Sequence, residues 1–522
     1  MEDEIYDTMA GPSQSINVNP SETTPLLVSP QERKMVEKNI GISQQTLVSR
    51  SSDNETSGRK VTQYIAGLAA TLGALAAGMV LGWSSPCGKD GVKLAQQYGI
   101  VITPTEFSWI SSIFNLGAAT ICVPIGILTD IIGRKRAMLI LVAPFTIGWI
   151  LIILANSVVM FDIGRYILGI SGGAFCVTAP MYTGEIAESS IRGSLGSYFQ
   201  LMLTTGILIT YILGSVLEMF TISLISAAVP LIFFVIFFFM PETPTHYLKK
   251  GDIDAARASY RWLRGPHYNI EPELEAQNEV LTESSRDQVS FFTAIRSKAA
   301  LKGLFIAFGL MFFQQLSGVN AMIFNAGPIL ESSGSSLDPD ISTIILGAMQ
   351  VFAVFISTLI VDRLGRRLLL LMSSVAMTLT TLAVGVFFYV QATNKETASS
   401  IGWLPLVSMS IFFILFSLGF GPIPWMMMGE IFAPQVKGIA GSSACLFNWL
   451  MAFVVTKFFN DIQTSLGAHW TFWIFSIICL VATVFVFFIV PETKGKSLEQ
   501  IQLELGSSNS SLPNQFRDSN KA

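Results

Sequence analysis

Amide side chains stand inside stretches that are otherwise apolar. Gln314-Gln315-Leu316-Ser317-Gly318-Val319-Asn320 interrupts one hydrophobic run, with Asn325 further on. Gln200 and Asn448-Trp449 interrupt two others, and Gly419-Phe420-Gly421-Pro422-Ile423-Pro424-Trp425 a fourth. A primary amide in apolar surroundings is costly unless hydrogen-bonded, and it offers both donors and acceptors. That combination suits the vicinal hydroxyls of a neutral polyol, while Trp425 offers a flat apolar face to a sugar ring. Each residue alone is equally well explained as interhelical glue. As a set they point to a site for a neutral, hydroxyl-rich small molecule. Gln314, Ser317 and Asn325 fall at about helical spacing, whereas Gln314, Gln315 and Asn320 cannot all point one way from a continuous helix.

The elements that must position these groups are membrane spans. Of 522 residues, 51% are hydrophobic and 13% charged, about half the charge content of a soluble domain. About 20 apolar residues cross a hydrocarbon core. Twelve such stretches are expected, at about 63–85, 107–129, 137–155, 158–181, 195–217, 221–240, 301–329, 342–361, 368–391, 402–428, 437–459 and 470–490. The expected fold is therefore an all-α membrane protein of twelve transmembrane helices in two parallel six-helix halves, 61–240 and 301–490. A charged segment, 241–300, reads as a cytoplasmic helical linker of short amphipathic helices. The polar tails 1–60 and 491–522 flank the halves, the first rich in Ser, Thr, Asn, Glu and Pro and expected to be disordered.

Short-loop cations orient the bundle. Arg134, Lys135, Arg136, Arg192, Arg363, Arg366, Arg367 and Lys437 fall on one side, against Lys89, Lys93 and Lys395 on the other. Positive-inside counting puts both termini and the linker in the cytoplasm. The net charge of −4, without a basic block, gives no sign of a nucleic-acid partner. The five cysteines and three histidines are scattered, so neither a metal site nor a cofactor is expected, and no catalytic constellation appears.

The two halves repeat one another. Asp130-Ile131-Ile132-Gly133-Arg134 returns as Asp362-Arg363-Leu364-Gly365-Arg366, Gly184-Glu185-Ile186 as Gly429-Glu430-Ile431, and Pro241-Glu242-Thr243 as Pro491-Glu492-Thr493. Basic loops alone would fix topology, but the recurring acids suggest a gating latch. Its members are Asp130, Arg134, Glu185 and Arg192 in the first half, and Asp362, Arg363, Arg366, Glu430 and Lys437 in the second. Asp130 is expected to pair with Arg192-type cations and Glu185 with Arg134 or Arg136, joining the halves when the cavity opens outward. Within span 4, Asp162 and Arg165 at i and i+3 are expected to neutralise each other. Span 1 carries no Asp or Glu, which favours facilitated diffusion over proton symport. Asp162, Glu218 and Glu331 remain as carboxylates that could carry a proton. Gly421, Pro422 and Pro424 should break span 10 and make a moving gate.

These motifs, together with Gly164-Arg165, Pro180-Met181-Tyr182, Arg192-Gly193 and Pro491-Glu492-Thr493-Lys494-Gly495, resemble the sugar porter family of the major facilitator superfamily over about residues 60–500. Trp83-Ser84-Ser85-Pro86 and Ile323-Phe324-Asn325 make the chain similar to its facilitated trehalose and glucose transporter branch. The resemblance implies alternating access around a central sugar site at Gln200, Gln314, Gln315, Asn320, Trp425 and Asn448, with Trp449 nearby. The expected function is facilitated transport of a neutral sugar, trehalose or a hexose such as glucose, across a lipid bilayer. A proton-coupled symporter is the alternative, and a non-transporting sensor a weaker one. Glu22-Thr23-Thr24-Pro25-Leu26-Leu27 is similar to an acidic dileucine sorting signal read by clathrin adaptors. The expected location is the cell membrane, multi-pass, with endosomal or lysosomal membranes as the alternative.

Overall fold

A computed structural model describes residues 59–188, 190–286, 296–333, 338–432, 434–496 and 498–506. The dileucine-like Glu22, Leu26 and Leu27 lie outside these residues. Among the described residues there are no strands, and twelve helices are long and apolar enough to cross a membrane. Spans 1 to 6 are Lys60–Cys87, Pro104–Ile132, Arg134–Ile153, Val158–Ile186, Arg192–Val216 and Met219–Phe238. Spans 7 to 12 are Lys298–Phe324, Pro339–Ile360, Arg366–Thr393, Leu404–Ile431, Gly438–Leu466 and Ala468–Phe488. The face where spans 1 and 7 begin is the terminus face; the other is the opposite face.

Local chemistry sets the starts. At span 2 the Thr103 hydroxyl accepts from the Glu106 N–H, while the Glu106 carboxylate accepts from the Thr103 N–H, a capping box ahead of Pro104. Close helix contact depends on glycine. A Cβ on Gly117 would lie 2.1 Å from the Tyr166 carbonyl oxygen, and one on Gly169 would lie 2.1 Å from that of Phe114. Spans 2 and 4 therefore touch backbone to backbone, as small residues permit in lipid.

Spans 7 and 10 are broken by residues outside the helical region, whereas the interruptions at Leu141 in span 3 and at Trp83–Ser84 in span 1 keep helical backbone angles. Span 7 runs as a helix from Lys298 to Leu316, restarts over Val319–Phe324 and continues beyond it as Ala326–Ser332. The break falls at Gly318, whose φ of +86° favours glycine. The sequence reading took this stretch as continuous. Span 10 breaks between Leu418 and Ile423, where glycines and prolines led one to expect it.

The linker forms helices Pro244–Lys249, Ile253–Arg264 and Glu271–Arg286. Leu248, Ala256, Tyr260, Ile270 and Leu274 make a small core between them. Buried Arg264 pairs Nε and Nη2 with Glu273 and donates from Nη1 to the Ile186 carbonyl at the end of span 4, 2.8 Å away. The linker is thereby tied to the first half.

Candidate binding site and clamps

The broken spans bring the amides together. In an unbroken helix the Phe420 carbonyl would accept from residue 424, but Pro424 has no N–H. The Gln314 Nε2 amide fills that vacancy, donating to the Phe420 and Gly421 carbonyls at 2.7 and 3.0 Å. Gln314 Oε1 accepts from Asn448 Nδ2 at 2.7 Å, and Asn448 Oδ1 accepts from Gln315 Nε2 at 3.0 Å. Gln315 Oε1 then accepts from Asn320 Nδ2 at 2.7 Å. Spans 7, 10 and 11 thus share one amide relay. Gln314, Gln315 and Asn448 are buried and Asn320 is half-buried. The turn at Gly318 folds Asn320 back onto Gln315, so three amides that no single helix could aim together do converge.

The remaining candidates lie apart from this relay. Asn325 turns onto its own helix, Nδ2 to the Ala321 carbonyl at 2.9 Å; the break has cancelled its helical spacing with Gln314. Gln200 is half-buried in span 5 and Trp425 half-buried just past the span 10 break. Trp449 is buried, its ring edge-on to Phe114 of span 2 with centroids 6.0 Å apart. Among the described residues its indole N–H has no oxygen or nitrogen partner.

Among the described residues, nitrogen and oxygen hydrogen bonds between the halves run from the middle of the bundle to the opposite face, while the Cys122 and Cys445 thiols, 3.2 Å apart, join spans 2 and 11 further toward the terminus face. Asn115 donates to Thr456 Oγ1 at 3.0 Å, and Tyr211 to the Ile323 carbonyl at 2.7 Å. The Gly327 N–H reaches Ser85 Oγ at 3.0 Å. Lys457, buried in span 11, donates to Ser108 Oγ at 2.7 Å and lies over Trp109, 5.0 Å from a ring centroid. Lys457 escaped the sequence reading, although a lysine within an apolar run was the available signal. Toward the terminus face, spans 2 and 11 stay in contact to Gly126 and Ser442, while among the described residues nothing lies within 4 Å of where a Cβ on Gly184, Gly196, Gly438 or Gly441 would stand.

On the terminus face the repeated charges close within each half. Arg134 is buried, with Nη2 2.9 Å from Glu185 and 3.0 Å from Asp130. Glu242 accepts from the backbone N–H groups of Arg134 and Lys135 at 3.0 Å each. The second half repeats this: Arg366 pairs with Glu430 at 3.0 Å, and Glu492 accepts from the Arg366 and Arg367 N–H groups at 3.0 Å. Asp130 pairs with Lys249 of the linker at 2.9 Å rather than with Arg192, which is exposed. In this conformation Arg134 and Arg366 each find their acid on a neighbouring span of their own half; a latch joining the halves belongs to the outward-open state, and this structure does not test it. The side chains of Asp362, Arg363 and Lys437 lie outside the described residues. Glu242 and Glu492 were missed as clamp residues, though the Pro-Glu-Thr repeat was in view.

A second correction concerns span 4. Arg165 does not pair with Asp162. Its guanidinium donates to the Ile110, Val80 and Ser111 carbonyls at 3.0, 2.7 and 3.3 Å and to Ser84 Oγ at 3.2 Å. It also lies over the Trp83 and Phe114 rings. Four of the five donors of the fork are taken by spans 1 and 2, and among the described residues Asp162 Oδ1 is left without a partner.

A family model described as Sugar (and other) transporter matches residues 44–505. The chain belongs to this family. It is a transporter of the major facilitator fold, not an enzyme. A facilitated trehalose transporter from Bombyx mori is 41% identical over 85% of this chain and 87% of its own length. Another, from Aedes aegypti, is 40% identical over 85% of this chain but only 55% of that longer protein. Among solved structures, a proton:xylose symporter bound to 6-bromo-6-deoxy-D-glucose superposes with a TM-score of 0.70, covering 85% of this chain and 99% of its own, at 22% identity. That likeness concerns the fold.

Proposed function

We propose that this family member carries a neutral sugar, trehalose or a hexose such as glucose, down its gradient by alternating access between its two halves. The amide relay carries the reading. Its members already satisfy one another, so a hydroxyl that enters must exchange one hydrogen bond for another. Exchange leaves no buried amide unpaired, which is the expensive outcome. The Phe420 and Gly421 carbonyls couple the relay to the span 10 break, so sugar contact at Gln314 bears on the segment able to move. We take Gln314, Gln315, Asn320 and Asn448 as the polar contacts, with Gln200, Asn325, Trp425 and Trp449 completing the cavity wall as the halves rearrange.

In the same reading the terminus face, with tails and linker, is cytoplasmic, and the conformation described is the one closed on the outer side. The clamps Asp130–Arg134–Glu185 and Arg366–Glu430 keep each half rigid while it rocks. The cell membrane is the site of action, and the Glu22–Leu27 signal would let a clathrin adaptor divert the protein to endosomal or lysosomal membranes.

The test is uptake of labelled trehalose and glucose into proteoliposomes without a pH gradient. Equilibration of either sugar, lost in Gln314→Ala, is expected. Uptake only under an imposed proton gradient would replace this reading with symport, and binding without flux would replace it with sensing.

A further inference from the structure

A cavity of about 610 Å³ lies on the terminus face, away from the amide relay. It forms where span 3 begins, span 6 ends and the linker turns back. Lys135, Arg136 and Lys250 line it, together with the apolar Leu139 and Phe238. Phe238 is 55% exposed, and the Lys135 ammonium lies 5.7 Å from its ring centroid. The pocket is therefore amphipathic in the sense a membrane surface requires, with hydrocarbon on one flank and cations on the other.

The acids in its wall are already engaged. Glu242 accepts from the Arg134, Lys135 and Thr243 N–H groups, and Asp252 caps the helix Ile253–Arg264 by accepting from the Ala255 N–H at 3.0 Å. Among the described residues Lys135, Arg136 and Lys250 make no ion pair. His246, also in the wall, is 4% exposed, and its Nδ1 is buried with no hydrogen-bond partner. Burial holds the imidazole below its ordinary pKa against the pull of Glu242, so the neutral ring has one N–H to offer.

We propose that this pocket binds the phosphate headgroup of an anionic phospholipid, held by Lys135, Arg136 and Lys250, with acyl chains along Leu139 and Phe238. The position at the span ends favours a lipid over a free phosphate compound, because Phe238 faces outward where chains would lie. Basic recesses at the ends of spans suit such headgroups.

Native mass spectrometry of the purified full-length protein tests this with phosphatidylglycerol, with phosphatidylcholine as the uncharged-net counterpart, and with inorganic phosphate. Phosphatidylglycerol should bind preferentially, and Arg136→Gln and Lys250→Gln should each weaken it about fivefold. Both residues are exposed, and Lys250→Gln alone serves if the other variant misfolds. Lys302→Gln, exposed at the start of span 7, should leave binding unchanged. Equal binding of the two lipids, or equal losses in Lys302→Gln, would overturn the proposal. Binding of inorganic phosphate without preference for phosphatidylglycerol would assign the pocket to a soluble anion and overturn the lipid.

Discussion

In the first half, Arg165 is wholly buried and ties span 4 to carbonyls of spans 1 and 2. At the corresponding register of the second half, set by aligning Gly184-Glu185 with Gly429-Glu430, stands Ser410. Among the described residues its hydroxyl bonds only the Leu406 carbonyl of its own helix, at 2.8 Å. Span 4 is one helix, and span 1 is one from Lys60 to Gly82 that tightens into a 3-10 turn at Ser85–Cys87 without leaving helical backbone angles, whereas their counterparts 7 and 10 are broken at non-helical glycines. The terminus-face clamps, by contrast, are nearly superimposable in design, each with an arginine on a Gly-Glu acid and a Pro-Glu-Thr acid on two backbone N–H groups. The sequence repeat keeps the terminus-face clamps alike while the interiors differ. One half is a pinned block and the other has joints and exchangeable amides.

The comparison breaks most visibly at Arg165. Arg165→Leu removes the guanidinium hydrogen bonds that tie span 4 to spans 1 and 2 at this level, leaving the Ser84 hydroxyl and the carbonyls facing it without that partner. Hydrogen bonds to charged groups contribute about 1.5–3 kcal/mol each and are not additive, so a loss of roughly 3 kcal/mol or more is expected in thermal unfolding of the purified protein. Arg165→Lys should rescue little, because a point charge cannot reproduce the fork. Ser410→Ala should change stability by less than about 0.5 kcal/mol. Equal effects at the two positions would remove the asymmetry.

Next in size is the relay. Gln314→Ala leaves the Phe420 carbonyl unpaired, at about 1–3 kcal/mol, and sugar flux should fall by at least about tenfold, since that same energy is then missing from the bound state. Gln200→Ala, in the pinned half and outside the relay, should reduce flux less. The reverse order would move the site toward the first half. Gly318→Ala sharpens the point. A Cβ there would lie 2.6 Å from Phe475, at a φ of +86°, costing about 1 kcal/mol or more in stability. If the turn positions Asn320, flux falls even in the fraction that remains folded.

Sequence alone revealed the spans because apolar length is a one-dimensional property, and it revealed the clamps because their motifs recur in register. It named Gln314, Gln315, Asn320 and Asn448 as polar contacts but not as one network. That network depends on a backbone reversal at Gly318 and on a carbonyl released by Pro424, and the second was legible from helix geometry once the partner four residues earlier was counted. Arg165 was misread because i,i+3 spacing reports neighbours on one helix, while its partners come from two others. Lys457 and Ser108 meet across 349 positions of chain, and no local pattern announces such a contact.

The smallest expected effect tests whether the clamps matter to stability at all. Glu492 is partly buried, which alone would raise its pKa, but the N–H groups of Lys494, Arg366, Arg367 and Thr493 outweigh burial and hold it below the ordinary carboxylate value. A carboxyl whose folded pKa is depressed stabilises the protein above its unfolded pKa, about 4.3, and that contribution fades as pH falls through the folded value. Unfolding temperatures followed downward from about pH 6 should therefore drop more steeply below about pH 4 in the wild type than in Glu492→Gln. The variant can neither ionise nor lose a proton at this position, so its curve should lie lower near neutrality and converge on the wild type in acid. Parallel curves would mean that the Pro-Glu-Thr acid of the second half is held by geometry without contributing measurably to stability. The shared clamps would then set the shape of each half rather than its strength.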